Sequence, residues 1–276
     1  MKATRSILAA LCAIALMACG NSNDSQSSIA PKPKGAVRLM TYNVGAVCKF
    51  IDDEFTKEDN VKLLAGIIKE FQPDAIAIQE LDSCNTRNDY FQLKAITELC
   101  NPKWSYFYGP AINYKGGKYG TGVASQNKRV IKTLYIPIPV KENSEARVLT
   151  IAEYKDYVIV CTHLNGGQPA QVEYLNAEIK RLYGDSKKPV FLGGDMNAYP
   201  DSPMMNEFRK EWTIISKTTD GTSVKSPKKP CIDYILQLNN NAAPVKVIGS
   251  EVVKEAYAGD VKKASDHYAV YVDIEL

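Results

Sequence analysis

The stretch from Pro189 to Pro200, P-V-F-L-G-G-D-M-N-A-Y-P, constrains this chain more than any other segment does. Its apolar run Val190–Leu192 is typical of a buried strand, and the two glycines that follow allow backbone or ligand to approach closely. Asp195 and Asn197 then lie two residues apart, so an extended backbone would project both side chains to one side. They could there orient a water and hydrogen-bond an oxyanion. The alternative is an Asx-rich turn, in which the same residue types are ordinary.

The same construction, an apolar strand with a polar residue at its end, recurs along the chain. The polar residues at the ends or starts of predicted strands are Asn43, Glu80, His163, Asp195, Asn197, Asp233, Asp266 and His267. The end of one strand and the start of an antiparallel neighbour lie at the same edge of a sheet. We therefore expect these groups to gather along one rim of the fold. Both histidines of the chain belong to the set, which favours a catalytic site.

The N-terminus predicts export rather than a folded element. Lys2 and Arg5 precede the apolar run Ile7–Met17, which is too short to span a membrane. Cys19 follows small Ala18, and this pattern resembles a bacterial lipoprotein signal in which Cys19 is lipidated after cleavage. An ordinary cleaved signal peptide is the alternative. We therefore predict a signal peptide over 1–18 and a disordered tether over 19–34. The protein would be an exported lipoprotein on the periplasmic side or cell surface of a membrane.

Residues 35–276 have the length of one large α/β domain, and no linker interrupts them. Without the signal peptide, the 34 Lys and Arg fall to 32 against 31 Asp and Glu, a net charge of +1. This balance gives little support to a basic groove that tracks nucleic acid. Lys225, Lys228 and Lys229 could still form a local basic patch, or simply a solvated loop.

Five cysteines remain in the body, so complete pairing within one chain is excluded, and none has the spacing of a zinc site. Cys161 lies inside an apolar strand pattern and is interpreted as a core residue. Cys48 and Cys84 each follow a candidate site residue, and a disulfide between their loops stays open.

Apolar residues at helical spacing predict three main helices, over Phe55–Phe71, Tyr90–Cys100 and Gln168–Tyr183. The middle of the chain is strand-rich, with a hairpin turn at Lys115–Lys118. A strand over Val130–Val140 contains two prolines, which indicates a position at a sheet edge.

The candidate site offers oxygen ligands and no cysteine or closely spaced histidine pair. This donor set indicates Mg²⁺, with Mn²⁺ or Ca²⁺ as alternatives, rather than zinc. Glu80 suits Mg²⁺, which binds one or two carboxylates and shares its shell with substrate phosphate. A metal, an imidazolium and an asparagine could together stabilise a pentacovalent phosphorus transition state. Asp195 could hold the attacking water in line.

Six short motifs now stand in order along the chain, together with the strand motif Y-G-T-G-V-A-S (119–125) and Arg147. They are T-Y-N (41–43), I-Q-E (78–80), T-H-L (162–164), G-D-M-N (194–197), I-D-Y (232–234) and S-D-H (265–267). Their order resembles the endonuclease/exonuclease/phosphatase superfamily over residues 37–276. The resemblance implies a DNase I-like four-layer α/β sandwich, in which two packed mixed β-sheets are flanked by helices and the active site lies at one rim.

The resemblance also implies a metal site. Glu80 is similar to the main metal ligand of the family, Asn43 to a metal and phosphate contact, and Asp266 to an auxiliary carboxylate of the metal site. Val44 and Gly45 follow Asn43, so the aspartate that some endonuclease branches place two residues later is absent. This departure weakens an apurinic-endonuclease assignment and leaves the shared chemistry intact.

The remaining roles concern phosphate and water. By the same resemblance, Asp195 positions the nucleophilic water and Asn197 contacts phosphate. His267 resembles the histidine that binds the scissile phosphate, oriented by Asp233. His163 resembles a residue that contacts phosphate or the leaving group.

The resulting hypothesis is a lipid-anchored, Mg²⁺-dependent phosphoesterase, by default a monomer. Its substrate could be a nucleic acid, a phospholipid head group or a sugar phosphate. A tyrosine-rich hairpin over Tyr106–Tyr119 could serve a lipid substrate as an exposed apolar element, or could be a core strand. The alternative hypothesis is a non-catalytic surface binding lipoprotein that retains the fold.

Overall fold

The apolar runs of the sequence form two six-stranded sheets in the computed structural model, which describes residues 31–101, 103–126 and 129–276. The strands are β1 (Val37–Asn43), β2 (Ala75–Ser83), β3 (Ser105–Tyr114), β4 (Gly117–Ser125), β5 (Lys132–Ile138), β6 (Arg147–Glu153), β7 (Val158–His163), β8 (Val190–Asp195), β9 (Trp212–Ile214), β10 (Asp233–Leu238), β11 (Lys246–Val252) and β12 (Val270–Glu275). The helices are α1 (Lys57–Phe71), α2 (Gln92–Cys100), α3 (Pro169–Tyr183), α4 (Pro203–Phe208) and α5 (Val261–Ala264). The predicted signal peptide, Cys19 and the predicted tether up to residue 30 lie outside the described residues.

Both sheets are mixed and share one construction. The first has the order β11-β12-β1-β2-β4-β3, and the second has the order β5-β6-β7-β8-β10-β9. In the first, β1 and β2 are parallel and joined through α1, and in the second β7 and β8 are parallel and joined through α3. The other strand pairs are antiparallel. Each sheet therefore carries one parallel pair whose carboxyl ends lie together.

The helices cover the outer faces of the two sheets, which gives the four-layer α/β sandwich that the sequence predicted. Helix α1 begins later than predicted because Thr56 caps it. The Thr56 hydroxyl accepts the Asp59 N–H, and the Asp59 carboxylate accepts the Thr56 N–H at 3.0 Å. It ends where Gln72 takes a left-handed conformation immediately before Pro73. None of the helices in residues 31–276 that the structure describes has the length and apolar character needed to cross a bilayer.

A layer of apolar side chains packs between the sheets. Phe191, Ile159 and Cys161 of the second sheet belong to one buried cluster with Leu39 and Val272 of the first. Cys161 is thus a core residue, as predicted. The sheets approach closely at Gly193, where an added Cβ would lie only 2.8 Å from the Ala77 Cβ. It is therefore the opposite sheet, rather than a ligand, that requires glycine at this position.

Several local predictions are confirmed. Strands β3 and β4 form the predicted hairpin, and β5, with its proline, is an edge strand. All five cysteines of the described residues are free, so the structure contains no bridge between Cys48 and Cys84. Lys32, within the predicted tether, forms an ion pair with Asp74.

Candidate active site

The polar residues singled out in the sequence meet at one rim because of the strand arrangement. Asn43, His163 and Asp195 are the last residues of β1, β7 and β8. The antiparallel register then pairs Asp233, at the start of β10, with Asp195. Likewise, β12 runs antiparallel to β1, so His267, shortly before β12, comes close to the end of β1. The rim is therefore a direct product of the topology.

Asp195 lies at the centre of this rim and is 1% exposed. The Asn43 amide donates to Asp195 Oδ2 at 3.0 Å. Nε2 of His163 and Nε2 of His267 lie 3.5 Å and 3.6 Å from the same oxygen. One carboxylate oxygen thus faces an amide and two imidazoles from both sheets.

Asp195 and Asn197 meet through a turn and not through extended backbone. Strand β8 ends at Asp195, and Asn197 has a left-handed conformation with φ of 47°. The Asn197 backbone N–H donates to Asp195 Oδ1 at 2.9 Å, which is an Asx turn. The turn places Asn197 Nδ2 3.0 Å from His163 Nε2 and lets it donate to the Leu164 carbonyl at 3.0 Å. The turn and the candidate site are therefore the same structure, although the sequence suggested them as alternatives.

Burial raises the pKa of Asp195 to about 7, and the neighbouring Asp233 carboxylate adds to the increase. His267 and the hydrogen bonds from Asn197 and Asn43 act in the opposite direction. A carboxylate with a pKa near neutrality is suited to accept a proton from a water molecule.

His267 is held by Asp233, whose Oδ2 lies 2.9 Å from His267 Nδ1. Burial alone would lower the pKa of His267, but the Asp233 carboxylate outweighs it and raises the pKa to about 10. At neutral pH His267 is therefore an imidazolium. Ser265 fixes the backbone here, since its hydroxyl donates to the Asn43 carbonyl at 2.6 Å and accepts the His267 N–H.

His163 is the neutral counterpart of His267. Burial, and then the adjacent Arg147 guanidinium, hold the pKa of His163 well below its usual value. Arg147 Nη1 donates toward His163 Nδ1 at 3.3 Å, while Arg147 Nε donates to Asn165 Oδ1 at 2.8 Å. Glu145 pairs with the same guanidinium. Arg147 was indicated by the sequence, whereas Asn165 and Glu145 were not predicted. Asn165 directly follows the T-H-L motif and Glu145 lies two residues before Arg147, so polar residues near these two positions are the signal that could have identified them.

Glu80 does not lie beyond the end of its strand, as predicted, but inside β2. The pairing of β2 with β4 shifts register between Ile78 and Leu81, and Glu80 there has φ of 56°. This bulge aims the Glu80 side chain at the rim, where Oε1 accepts from the Asn43 amide at 3.1 Å. A left-handed conformation is unfavourable for a glutamate, and such strain is concentrated at functional sites.

A second acidic group lies beside Glu80. Asp266 Oδ1 is buried without a hydrogen-bond partner among the described residues. The ammonium group of Lys49 lies 3.7 Å from Glu80 Oε2 and 3.5 Å from Asp266 Oδ2. The carboxylates of Glu80 and Asp266 thus converge, both face a cation, and Asp266 has an unpartnered oxygen. Such a pair fits a divalent metal that takes oxygen ligands. The Asn43 Oδ1 accepts the Gly45 N–H at 3.0 Å, so Asn43 links the carboxylates of Glu80 and Asp195 as a donor, through its amide nitrogen.

Asp195, Asp233 and His267 form a further buried group whose ligand atoms lie within 4.8 Å of one another. In this group, Nδ1 of His267 is engaged by Asp233 and the ring is cationic. An imidazolium suits a phosphate contact better than a metal contact. These three residues are therefore suited to proton and phosphate handling, and the oxygen donors of Glu80 and Asp266 are suited to a metal.

A polar cleft of about 370 Å³ opens beside these residues. Its lining residues are Lys49, Glu80, Arg87, Ile112, Tyr114, Tyr119, Glu145, Arg147 and His163. One wall is rigid, because Arg87 donates twice to the buried Asp82, at 2.7 and 2.8 Å, and stacks over Tyr114.

The model of the "Endonuclease/Exonuclease/phosphatase family" matches residues 40–267. Among solved structures, an endonuclease/exonuclease/phosphatase from Bacteroides vulgatus is 18% identical, with a TM-score of 0.66, covering 88% of this chain and 100% of its own. The catalytic domain of human Nocturnin with bound sulfate is 18% identical, with a TM-score of 0.65 and coverages of 88% and 95%. A mannosyl-6-phosphatase from Bacteroides thetaiotaomicron is 15% identical, with a TM-score of 0.66 and coverages of 86% and 99%. A comparison with curated protein sequences gave no significant match.

Proposed function

Since this chain belongs to the endonuclease/exonuclease/phosphatase family, we propose that it is a divalent-metal-dependent hydrolase of a phosphomonoester or phosphodiester. The observation that carries this proposal is the position of Asp195. Its Oδ2 lies within 3.6 Å of the Asn43 amide and both imidazoles at the rim where the strands of both sheets end.

In the proposed reaction Asp195 orients a water molecule and accepts its proton as the oxygen–phosphorus bond forms. The cationic His267, held by Asp233, binds a phosphoryl oxygen, and Asn197 donates a hydrogen bond to the phosphate. The bond between phosphorus and the leaving oxygen breaks on the side of His163; the leaving oxygen takes a proton from solvent water, and Asp195 returns its proton to solvent. Glu80 and Asp266 would hold Mg²⁺, with Mn²⁺ or Ca²⁺ as alternatives. The metal would supply positive charge to the phosphoryl oxygens when bound.

We propose a compact sugar phosphate as the substrate class. The cleft of about 370 Å³ has room for one such molecule, and its lining offers hydroxyl-binding carboxylate and guanidinium groups beside tyrosine rings. Similarity in fold to a mannosyl-6-phosphatase agrees with this choice. No residue of Tyr106–Tyr119 is among the exposed large apolar side chains of the described chain, which argues against a lipid-inserting hairpin. The mature charge of +1 gives a nucleic-acid groove little support.

We also propose that the protein is an exported monomeric lipoprotein anchored through Cys19, on the periplasmic side or cell surface of a membrane. The sequence pattern before Cys19 supports the anchor. Radiolabelled palmitate incorporation that survives Cys19→Ala would contradict lipidation at this residue.

The decisive test is hydrolysis by the purified full chain with Mg²⁺ or Mn²⁺ and with EDTA. Substrates would be mannose 6-phosphate, glucose 6-phosphate, inositol phosphates, plasmid DNA, RNA, sphingomyelin and bis-p-nitrophenyl phosphate. EDTA-sensitive release of phosphate from a sugar phosphate is expected, and Asp195→Asn should abolish it. Turnover of nucleic acid or sphingomyelin alone would reject the substrate class. A folded protein that hydrolyses none of the substrates would favour the alternative, a non-catalytic binding lipoprotein.

A further inference from the structure

Lys49 lies in the place that a metal would need. Its ammonium nitrogen is 3.7 Å from Glu80 Oε2 and 3.5 Å from Asp266 Oδ2, so it bridges the two carboxylates assigned to a cation. The side chain is 35% exposed and also lines the cleft, so the ammonium group has space into which it can move. A divalent ion bound by the same carboxylates would lie within a few ångströms of the ammonium, where like charges repel strongly.

The backbone is built to accept this lysine. Gly45 has φ of 57°, and an added Cβ would lie 2.5 Å from Lys49 Cγ and 3.2 Å from Asp266 Oδ1. Any other residue at this position would push the Lys49 stem away from the carboxylates. Gly45 thus leaves the room that the Lys49 stem occupies beside the carboxylates.

We infer that Lys49 is an internal competitor of the divalent cation, an inference that rests on the proposed metal site at Glu80 and Asp266. In the metal-free protein its ammonium group neutralises the two carboxylates and keeps them convergent. When a divalent cation binds, the ammonium leaves the carboxylates and moves into the cleft. It there joins Arg87 and Arg147 as a further cation that can face an anionic substrate.

This competition sets the affinity of the site for metal. Because the ammonium must be displaced, the metal affinity of the wild-type protein is lower than the two carboxylates alone would give. Because the displaced group stays in the cleft, loss of Lys49 should weaken substrate binding while it strengthens metal binding. A purely structural lysine would not produce these two opposite effects.

The test is calorimetric titration of Mn²⁺ into the metal-free full chain, compared between wild type and Lys49→Met. Lys49→Met should bind Mn²⁺ about tenfold more tightly, because the competing cation is removed. In EDTA the variant should melt at a lower temperature than wild type, since its carboxylates repel one another, and saturating Mn²⁺ should remove that difference. Lys49→Gln serves as a second variant if Lys49→Met folds poorly.

Lys225→Met is the matched control. Lys225 Nζ also lies 3.5 Å from Asp266 Oδ2, but its side chain is 70% exposed and does not bridge to Glu80. It should change Mn²⁺ affinity less than twofold. Unchanged or weaker Mn²⁺ binding by Lys49→Met and Lys49→Gln would overturn the inference. If the Lys49 variants fail in this way but wild type binds Mn²⁺ and Glu80→Gln does not, the inference about Lys49 is wrong while the proposed metal site is still supported. If wild type binds no divalent cation, both the inference and the proposed metal dependence fail.

Discussion

Asp233 Oδ2 lies 2.9 Å from Nδ1 of His267, and this buried pair keeps the imidazole cationic. His163, on the other side of Asp195, is neutral because burial and Arg147 lower its pKa. The two histidines of the chain thus hold opposite charge states at neutral pH.

The first prediction concerns those charge states, which ¹⁵N NMR of the metal-free protein can read directly. At pH 7.5 one histidine should be an imidazolium and the other neutral, with His163→Gln giving the assignment. Asp233→Asn should lower the pKa of His267 by about 1–3 pH units.

The stability that protonated His267 contributes is present below about pH 6.5 and is lost as pH rises through about 10. The melting-temperature difference between wild type and Asp233→Asn should therefore shrink above pH 9. Two neutral histidines at pH 7.5 would contradict this assignment.

Asp195→Asn should lower kcat about 10²- to 10⁴-fold, because the proton acceptor is lost while its shape is kept. Wild-type activity should fall as pH drops below about 7, where Asp195 becomes protonated. A carboxyl group with a raised native pKa stabilises the fold below about pH 4, and that stabilisation is lost as pH rises through 7. The variant should therefore melt above wild type at pH 8, with a smaller difference at pH 5. A variant that retains more than a tenth of wild-type kcat would reject the role.

Glu80→Gln should abolish metal-dependent turnover and weaken Mn²⁺ binding in calorimetry, since a neutral amide is a poor ligand for a hard cation. The strained backbone gives a separate expectation. Glu80→Gly should be more stable than Glu80→Ala by about 0.5–1 kcal/mol, because glycine accepts φ of 56° without the penalty of an L side chain. Urea unfolding of the two variants measures the difference, and a more stable alanine variant would contradict the strain.

Arg38 and Asp273 form a bidentate pair in the core of the first sheet, with both nitrogen–oxygen distances at 2.7 Å. Asp273→Ala should lower the free energy of unfolding by about 3–5 kcal/mol, because it leaves a buried guanidinium unpaired. Glu275→Ala, which removes the exposed partner of Lys246 on the same strand, should cost less than about 1 kcal/mol. If urea unfolding shows that both substitutions lower the free energy of unfolding equally, burial does not determine how much the Arg38–Asp273 pair contributes to stability.

Glu145→Gln tests the proposed substrate class. Glu145 lines the cleft beside Arg147, and its carboxylate is expected to accept sugar hydroxyl groups. The variant should raise KM for the preferred sugar phosphate about tenfold and leave kcat/KM for bis-p-nitrophenyl phosphate within about twofold, since an aryl ester offers no such hydroxyl. Equal losses of kcat/KM on both substrates would instead show that Glu145 maintains the structure of the site and does not bind sugar hydroxyl groups.

Part of the site could be predicted from the sequence because each strand end carries its polar residue within one short motif. Asn43, His163 and Asp195 each close an apolar run, and such runs predict where strands stop. The bulge that carries Glu80 could not be predicted in this way. It depends on the register between β2 and β4, which are separated by the whole of α2 and β3.

Local sequence patterns were sufficient to predict the α/β class, the main helices, the central hairpin, the edge position of β5 and the residues at the rim. These features follow from local periodicity, turn chemistry and motif order. Three features depend on the folded structure: Asp195 accepts a hydrogen bond from Asn43 across 152 residues, Lys49 bridges Glu80 and Asp266, and the two histidines differ in charge. Hydrogen bonds, ion pairs and desolvation act over a few ångströms between segments far apart in the chain. Their strength is therefore set by sheet register and burial, which no local pattern encodes.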